Sequence, residues 1–218
     1  MGVEQIMGTG GGWQDQIGGG CWGIKHVTRC ALTGNFLLKK VVLDPKTLAF
    51  FNSRLVCINT SRKRLAKRVL VNIVDSYCYS GVAVGIINEL MENAERMYNA
   101  FVRLEQSSDS SEGSVERENA LRAIGGELRT YKNCCVRLQG KGFLPDDIGF
   151  VIDTLDQSYC YGVNLMGAGN GGFLVGVLKE GVSKIEVIKK VEEAQRRREK
   201  SADHVENLTF SLAEVEVC

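Results

Sequence analysis

Tyr159-Cys160-Tyr161-Gly162-Val163-Asn164-Leu165-Met166-Gly167-Ala168-Gly169-Asn170-Gly171-Gly172-Phe173-Leu174-Val175-Gly176-Val177-Leu178 is an apolar run, a glycine-rich break and a second apolar run. Residues 159–165 and 172–178 carry strand-forming content, and the glycines between them mark a turn, so the stretch predicts strand, turn, strand. Glycine tolerates positive φ and lets another backbone or a ligand come close. A glycine-rich hairpin packed tightly on another backbone accounts for the segment by itself.

The elements around it follow from spacing. Upstream, Pro145-Asp146-Asp147 opens a short helix through Leu155, with proline suited to the first positions and the acids to the positive end of the helix dipole. A longer helix runs from about Val115 to Leu138. The polar stretch Ser107–Ser114 has nothing to bury and forms an exposed loop. Before it, Ile87, Leu90, Met91, Ala94, Met97, Tyr98, Phe101 and Leu104 make one apolar stripe, with Glu92, Glu95, Asn99 and Arg103 facing away. Leu65, Val69, Ile73 and Tyr77 recur at helical spacing from Lys63. Two strands are expected at 35–43 and 54–59, on either side of an Asp44-Pro45-Lys46 turn signal. Downstream, a helix from about Val182 to Lys200 precedes a strand at 207–217. Helices interleaved with a mainly antiparallel sheet make the class α+β.

Composition limits the function. The chain has 218 residues, 44% of them hydrophobic and 24% charged, which suits a globular protein with a sizeable core. A net charge of +1 supplies no bulk attraction for nucleic acid. No apolar run reaches membrane-spanning length and no signal-peptide pattern opens the chain, so no membrane partner and a cytoplasmic setting are expected. Eight cysteines (Cys21, Cys30, Cys57, Cys78, Cys134, Cys135, Cys160 and Cys218) form no Cys-x-x-Cys pair, and the histidines are His26 and His204. That set builds no zinc site and reads as reduced, mostly core cysteine. Arg196-Arg197-Arg198 near a helix C-terminus complements the dipole and reads as a solvated face.

A second glycine cluster stands near the start: Gly8-Thr9-Gly10-Gly11-Gly12-Trp13-Gln14-Asp15-Gln16. The glycines allow close approach of a ligand, and the run ends on one carboxylate flanked by two amides. An aspartate held that way can accept a proton from a hydroxyl or orient it for attack. A surface turn with a helix-capping aspartate is the simpler alternative. The run is not a Walker loop, because no Lys-Ser or Lys-Thr follows the glycines.

Taken together, Gly167–Gly172 and Trp13–Gln16 resemble two motifs of the superfamily of galactokinase, homoserine kinase, mevalonate kinase and phosphomevalonate kinase. The Gly-Thr-Gly-Gly-Gly-Trp-Gln-Asp-Gln run, followed by Gly18, Gly19 and Gly23-Ile24-Lys25, is most similar to L-fucokinases and their heptose-phosphate kinase relatives. Thr60-Ser61-Arg62-Lys63-Arg64-Leu65-Ala66 resembles the family's Thr-Gly-x-x-Arg-x-Ala turn into a helix. The resemblance implies a ferredoxin-like C-terminal domain over 61–218, preceded at 1–60 by the end of an N-terminal kinase domain. It also implies ATP- and Mg²⁺-dependent phosphorylation of a sugar hydroxyl, giving L-fucose 1-phosphate. Asp15 would be the base, with Gly12, Trp13, Gln14 and Arg64 at the sugar. Gly167, Ala168, Gly169, Gly171 and Gly172 would lie beside the phosphates.

Departures from the family pattern carry their own expectations. Asn170 replaces a usual glycine of the third motif, and asparagine accommodates the left-handed region. Ser61 stands where the turn usually has glycine, at a cost of about 1 kcal/mol if positive φ is needed. The superfamily's first motif and its Pro-x-x-x-Gly-Leu-Gly-Ser-Ser phosphate loop have no counterpart in these residues. The expectation is the C-terminal portion of a fucokinase-like enzyme, inactive alone. A non-catalytic sugar-sensing or scaffold relative and a heptose-phosphate kinase are the alternatives.

Overall fold

The computed structural model describes residues 14–62, 77–107, 113–167, 169–199 and 211–213. Its elements are α1 (Gln14–Gly20), β1 (Ile24–Arg29), β2 (Phe36–Val41), α2 (Pro45–Arg54), β3 (Leu55–Asn59), α3 (Gly81–Gln106) and α4 (Gly113–Gln139). A 3₁₀ turn (Gly140–Gly142) then leads to α5 (Asp146–Ser158), β4 (Cys160–Leu165), β5 (Phe173–Leu178), α6 (Lys184–Glu199) and β6 (Ser211–Leu212). The strands form an antiparallel β1–β2 hairpin and a four-stranded antiparallel sheet of order β4-β5-β3-β6. In chain order the second sheet reads strand, helices, strand, strand, helix, strand, which is the ferredoxin-like arrangement within an α+β fold. β4 and β5 are the strands expected around the glycine turn.

Alternation along the strands divides the core in two. Val56 and Ile58 of β3, Leu174 and Leu178 of β5, and Val163 and Leu165 of β4 pack with Ile148, Ile152 and Leu155 of α5 and Val187 and Val191 of α6. On the other side Leu55 and Val177 join Ala100 and Leu104 of α3, Leu121 and Ile124 of α4, and Phe51 of α2. The sheet therefore lies between two helical layers. α4 crosses β4 at Gly125 and Gly162, where a Cβ on Gly162 would collide with the Gly125 carbonyl oxygen and one on Gly125 with Tyr161. Only hydrogen fits on either side of that crossing.

β3 is the sheet's second strand from one edge, hydrogen-bonded to β5 on one side and β6 on the other. β3 thus precedes residue 60 in sequence, while both of its partner strands follow it.

Several elements differ from the sequence expectation. Asp44-Pro45-Lys46 does not turn one strand into the next: it starts α2. The Asp44 carboxylate accepts from the amides of Lys46 (2.8 Å) and Thr47 (3.2 Å), and Pro45 takes the first helical position. Those residues serve a turn and a helix cap equally well. β1 was not expected as a strand. Of the stripe on α3, Leu104 is buried as expected, but Met91 is 67% exposed and Ala94 is exposed, while Ala83, Ile86, Asn93 and Ala100, outside the stripe, are buried. α3 turns that second line of residues toward α4, and Met97, Tyr98 and Phe101 remain half-buried. The helix expected from Lys63 and most of the strand expected at 207–217 lie outside the described residues.

Candidate active site

The turn between β4 and β5 owes its shape to left-handed backbone. Gly167, Gly169, Gly171 and Gly172 have φ of 75°, 89°, 146° and 98°, and Asn170 joins them at 62°. Asparagine therefore holds a position where the family pattern has glycine, in the conformation it tolerates best among larger residues. Close packing adds a second requirement. A Cβ on Gly169 would stand 2.8 Å from the Phe143 Cα, and one on Gly171 would stand 2.7 Å from the Arg62 carbonyl oxygen. The plain reading of this segment, a hairpin tip packed on other backbone, describes its geometry well.

Thr60-Ser61-Arg62 provides much of the surface it packs on. The buried Thr60 hydroxyl donates to the Gly172 carbonyl (2.9 Å) and accepts from the Gly172 amide (3.0 Å), while the Thr60 amide also donates to that carbonyl (2.8 Å). Ser61 adopts φ 53°, so serine occupies the left-handed region where the family turn has glycine. Arg62 pairs with Asp147 in the first turn of α5 at 2.9 Å. On the opposite flank the Asn170 amide donates to the Phe143 carbonyl at 2.7 Å. Two turn amides, those of Asn170 and Gly172, are thus spent on protein acceptors. The turn is fixed in shape before any ligand arrives, and those two amides are not open donors for phosphate.

Asp15 lies in α1, described from Gln14. The helix ends in three glycines, and Lys25 of β1 caps it by donating to the carbonyls of Gly18 (2.9 Å) and Cys21. The Asp15 segment is thereby tied to β1. Gly12, Trp13, Arg64 and Ala168 lie outside the described residues, as do the side chains of Gln14 and Asp15.

A cavity of about 480 Å³ lies between α1 and the end of β4. Ile17 and Gly18 of α1 line it at one side, with residues 24–27 of β1, and Asn164 and Met166 line it from β4 and the residue after it. Gly18 is one helical turn from Asp15, and Met166 immediately precedes Gly167. α3 supplies Leu90, Asn93, Ala94, Met97, Tyr98 and Phe101, and α4 supplies Leu128 and Tyr131. Most of the α3 stripe read from the sequence therefore faces this cavity, which explains its partial exposure.

The polar groups in the cavity are few and unequal. Asn93 is committed: its amide donates to the Glu127 carbonyl (2.9 Å) and carboxylate (2.7 Å). Burial pushes the Tyr131 hydroxyl above its ordinary range, which keeps it protonated. Asn164 is only 2% exposed, yet its Oδ1 has no hydrogen-bond partner, and neither does the Nδ1 of His26. Sequence reasoning missed both of these. Asn164 sits in an apolar run as one polar residue, a signal that becomes informative only with the burial in view.

Other ionisable groups near the sheet are structural. Arg54 pairs with Glu118 at 2.8 Å and donates to the Leu178 carbonyl, and the Tyr161 hydroxyl also donates to Glu118. Burial works against ionisation of Glu118, but the bonds from Arg54 and Tyr161 outweigh it and hold the carboxyl below its usual range. Burial raises Cys135 to about 11 and Cys160 to about 12, so both stay as thiols at neutral pH. Among the described residues no group of three His, Cys, Asp or Glu side chains is placed to hold a metal. No described helix is long and apolar enough to cross a membrane.

Comparison with known proteins agrees with the motifs. No family model matches the chain. It is 31% identical over 193 residues to a bifunctional fucokinase/GDP-fucose pyrophosphorylase of Arabidopsis thaliana, covering 88% of this chain. It is 28% identical over 180 residues to an L-fucokinase/L-fucose-1-P guanylyltransferase of Bacteroides fragilis, covering 82% of this chain. The chain spans 17% of the length of each of these relatives. Among solved structures, L. major mevalonate kinase in complex with R-mevalonate superposes with a TM-score of 0.52 at 12% identity, over 87% of this chain and 48% of that one. At that identity the likeness speaks for the fold alone. The chain is thus similar over most of its length to one segment of much longer fucokinases, and its fold is like that of a mevalonate kinase.

Proposed function

We propose that this chain contributes the acid-bearing segment and the glycine turn of a sugar 1-kinase whose acceptor is L-fucose and whose donor is ATP. The observation that carries the reading is the shared cavity: the helix bearing Asp15 and the strand leading into Gly167 border the same space, although Asp15 and Gly167 are 152 positions apart in sequence. The names of the two curated relatives supply the acceptor.

In this reading Asp15 accepts or orients the proton of the anomeric hydroxyl, with Gly12, Trp13, Gln14 and Arg64 at the sugar. The Gly167–Gly172 turn bounds the phosphate site by shape. Phosphoryl transfer depends mainly on positioning and on charge stabilisation, so one carboxylate is sufficient protein chemistry for proton handling. ATP with Mg²⁺ supplies the transferred group and neutralises its charge. A non-catalytic sugar-sensing or scaffold relative is the second reading.

The discriminating experiment titrates a panel of free sugars against ATP consumption by the longest expressible product of the gene. Fucose-selective turnover that Asp15→Asn abolishes supports the kinase. Silence with every sugar refutes it in favour of the sensor. For the 218-residue chain alone, the missing loop leads us to expect no turnover.

A further inference from the structure

α1 carries Asp15 and is a weak helix by composition. Its seven residues fall short of the roughly 12–15 that an isolated helix needs to persist in water, and the last three are glycine, the poorest helix former after proline. Its fold therefore depends on contacts from outside the helix. One comes from Lys25, whose ammonium donates to the carbonyl of Gly18 at 2.9 Å and to that of Cys21. Both acceptors belong to the last turn and its exit, where carbonyls lack intrahelical partners and a positive charge complements the dipole.

Strand register sends Lys25 there. In the β1–β2 hairpin Lys25 stands directly across from Lys40, and like charges so placed destabilise a sheet. The two ammonium groups part: Lys40 lies 4.7 Å from the centre of the Trp22 ring, and Lys25 turns to α1. Trp22 belongs to the short connection between α1 and β1, so both lysines grip the exit of the helix. No Asp or Glu occurs from Gln16 to Leu43, and the Gly18 and Cys21 carbonyls, not a neighbouring carboxylate, take the Lys25 charge.

We propose that Lys25 is a positioning residue for Asp15: by holding the last turn of α1 it fixes the backbone from which the Asp15 carboxylate is presented. The proposal rests on the reading of Asp15 as the base of a kinase and adds the residue that keeps it in place. In an α-helix the Asp15 carbonyl accepts from the Gly19 amide, so fraying of the glycine turn reaches Asp15 directly. Lys25 touches neither substrate nor reacting atoms in this scheme.

Two measurements test it. The first follows amide hydrogen exchange by NMR in the 218-residue chain and in its Lys25→Met, Lys25→Arg and Lys40→Met variants. Lys25→Met keeps the length of the side chain and removes the charge. It should speed exchange at the amides of Gly18, Gly19, Gly20 and Cys21 by about tenfold and leave α3 and α4 unchanged. Lys25→Arg should keep the wild-type rates. Lys40→Met, which loses the contact with Trp22, should change them by no more than about threefold.

The second measures fucose-dependent ATP consumption by the longest expressible product of the gene. Lys25→Met should lower kcat by at least about tenfold, with KM for ATP and the melting temperature at their wild-type values, and Lys25→Arg should recover most of the loss. A role in overall stability would lower the melting temperature together with kcat.

Unchanged exchange in Lys25→Met, equal acceleration by Lys40→Met, loss of protection through α3 and α4 as well, or full kcat in Lys25→Met would each overturn the proposal. The exchange measurement needs no turnover, which separates this inference from the broader one. A protein that phosphorylates no sugar but frays at Gly18 to Cys21 in Lys25→Met removes the kinase and keeps Lys25 as the anchor of α1. Fucose turnover in a protein whose exchange ignores Lys25→Met removes the anchor and keeps the kinase.

Discussion

Replacing Thr60 by valine tests how the glycine turn is held. The change keeps the shape and removes the hydroxyl, whose two short bonds both go to Gly172, at 2.9 and 3.0 Å. After it, the Gly172 carbonyl still accepts from the Thr60 amide at 2.8 Å, but the Gly172 amide has lost its acceptor. Stranding a donor costs about 1–3 kcal/mol when it is fully buried. Gly172 is only half-buried, so about 1.5 kcal/mol is the expected loss, near the lower end of that range. For a chain of this size that lowers the melting temperature by roughly 3–6 °C.

Thr60→Ser gives the control. It keeps the hydroxyl and removes one methyl group, at about 0.8 kcal/mol. Thermal unfolding of the three proteins followed by circular dichroism should therefore rank wild type above serine and serine above valine. A valine variant as stable as wild type, or more stable than the serine variant, would show that the turn is held by packing and that the hydroxyl is incidental.

Three further outcomes follow from single sites. Ser61→Gly should raise stability by about 0.5 kcal/mol, because relief of a left-handed serine slightly exceeds the added entropy of glycine, whereas Ser61→Val should lower it by more than 1 kcal/mol; denaturant midpoints measure both. Glu118→Gln should cost about 2 kcal/mol at neutral pH by weakening the bonds to Arg54 and Tyr161. Because the folded carboxyl titrates below its unfolded value near 4.5, the wild-type advantage should be complete above that pH and vanish as pH falls through the lower, folded value. Unfolding curves between pH 7 and pH 3 that stay parallel for the two proteins would contradict this. Gly162→Ala should yield no native protein, since its methyl group would occupy the Gly125 carbonyl; a cooperative melt from soluble variant protein would show that α4 can lift off the sheet.

The sequence made the hairpin around 167–172 legible because period, turn chemistry and length all agreed there. Left-handed backbone at Ser61 and Asn170 was also anticipated, from a pattern in which each stands at a glycine position. Asp44-Pro45 misled, since a capping acid followed by proline starts a turn and a helix with the same atoms. β1 escaped notice because Lys25, His26, Thr28 and Arg29 dilute its apolar content, and only pairing with β2 shows it to be a strand. The cavity was beyond reach for a different reason. Its walls come from α1, β1, α3, α4 and β4, and no local pattern encodes their meeting. The stripe on α3 was visible, but periodicity cannot say whether an apolar face meets another helix or lines an open space.

The inner position of β3 also sets a timetable for synthesis. Its Leu55-Val56-Cys57-Ile58 run leaves the ribosome before its partner β5, which follows only after roughly 115 more residues, a wait of about 6–23 s at ordinary elongation rates. Throughout that interval an apolar strand with both edges open is exposed to other nascent chains. Yield in cells should then depend on chaperone supply and elongation rate across residues 60–178 more than on the stability of the finished fold, and slower codons placed after residue 178 would protect nothing.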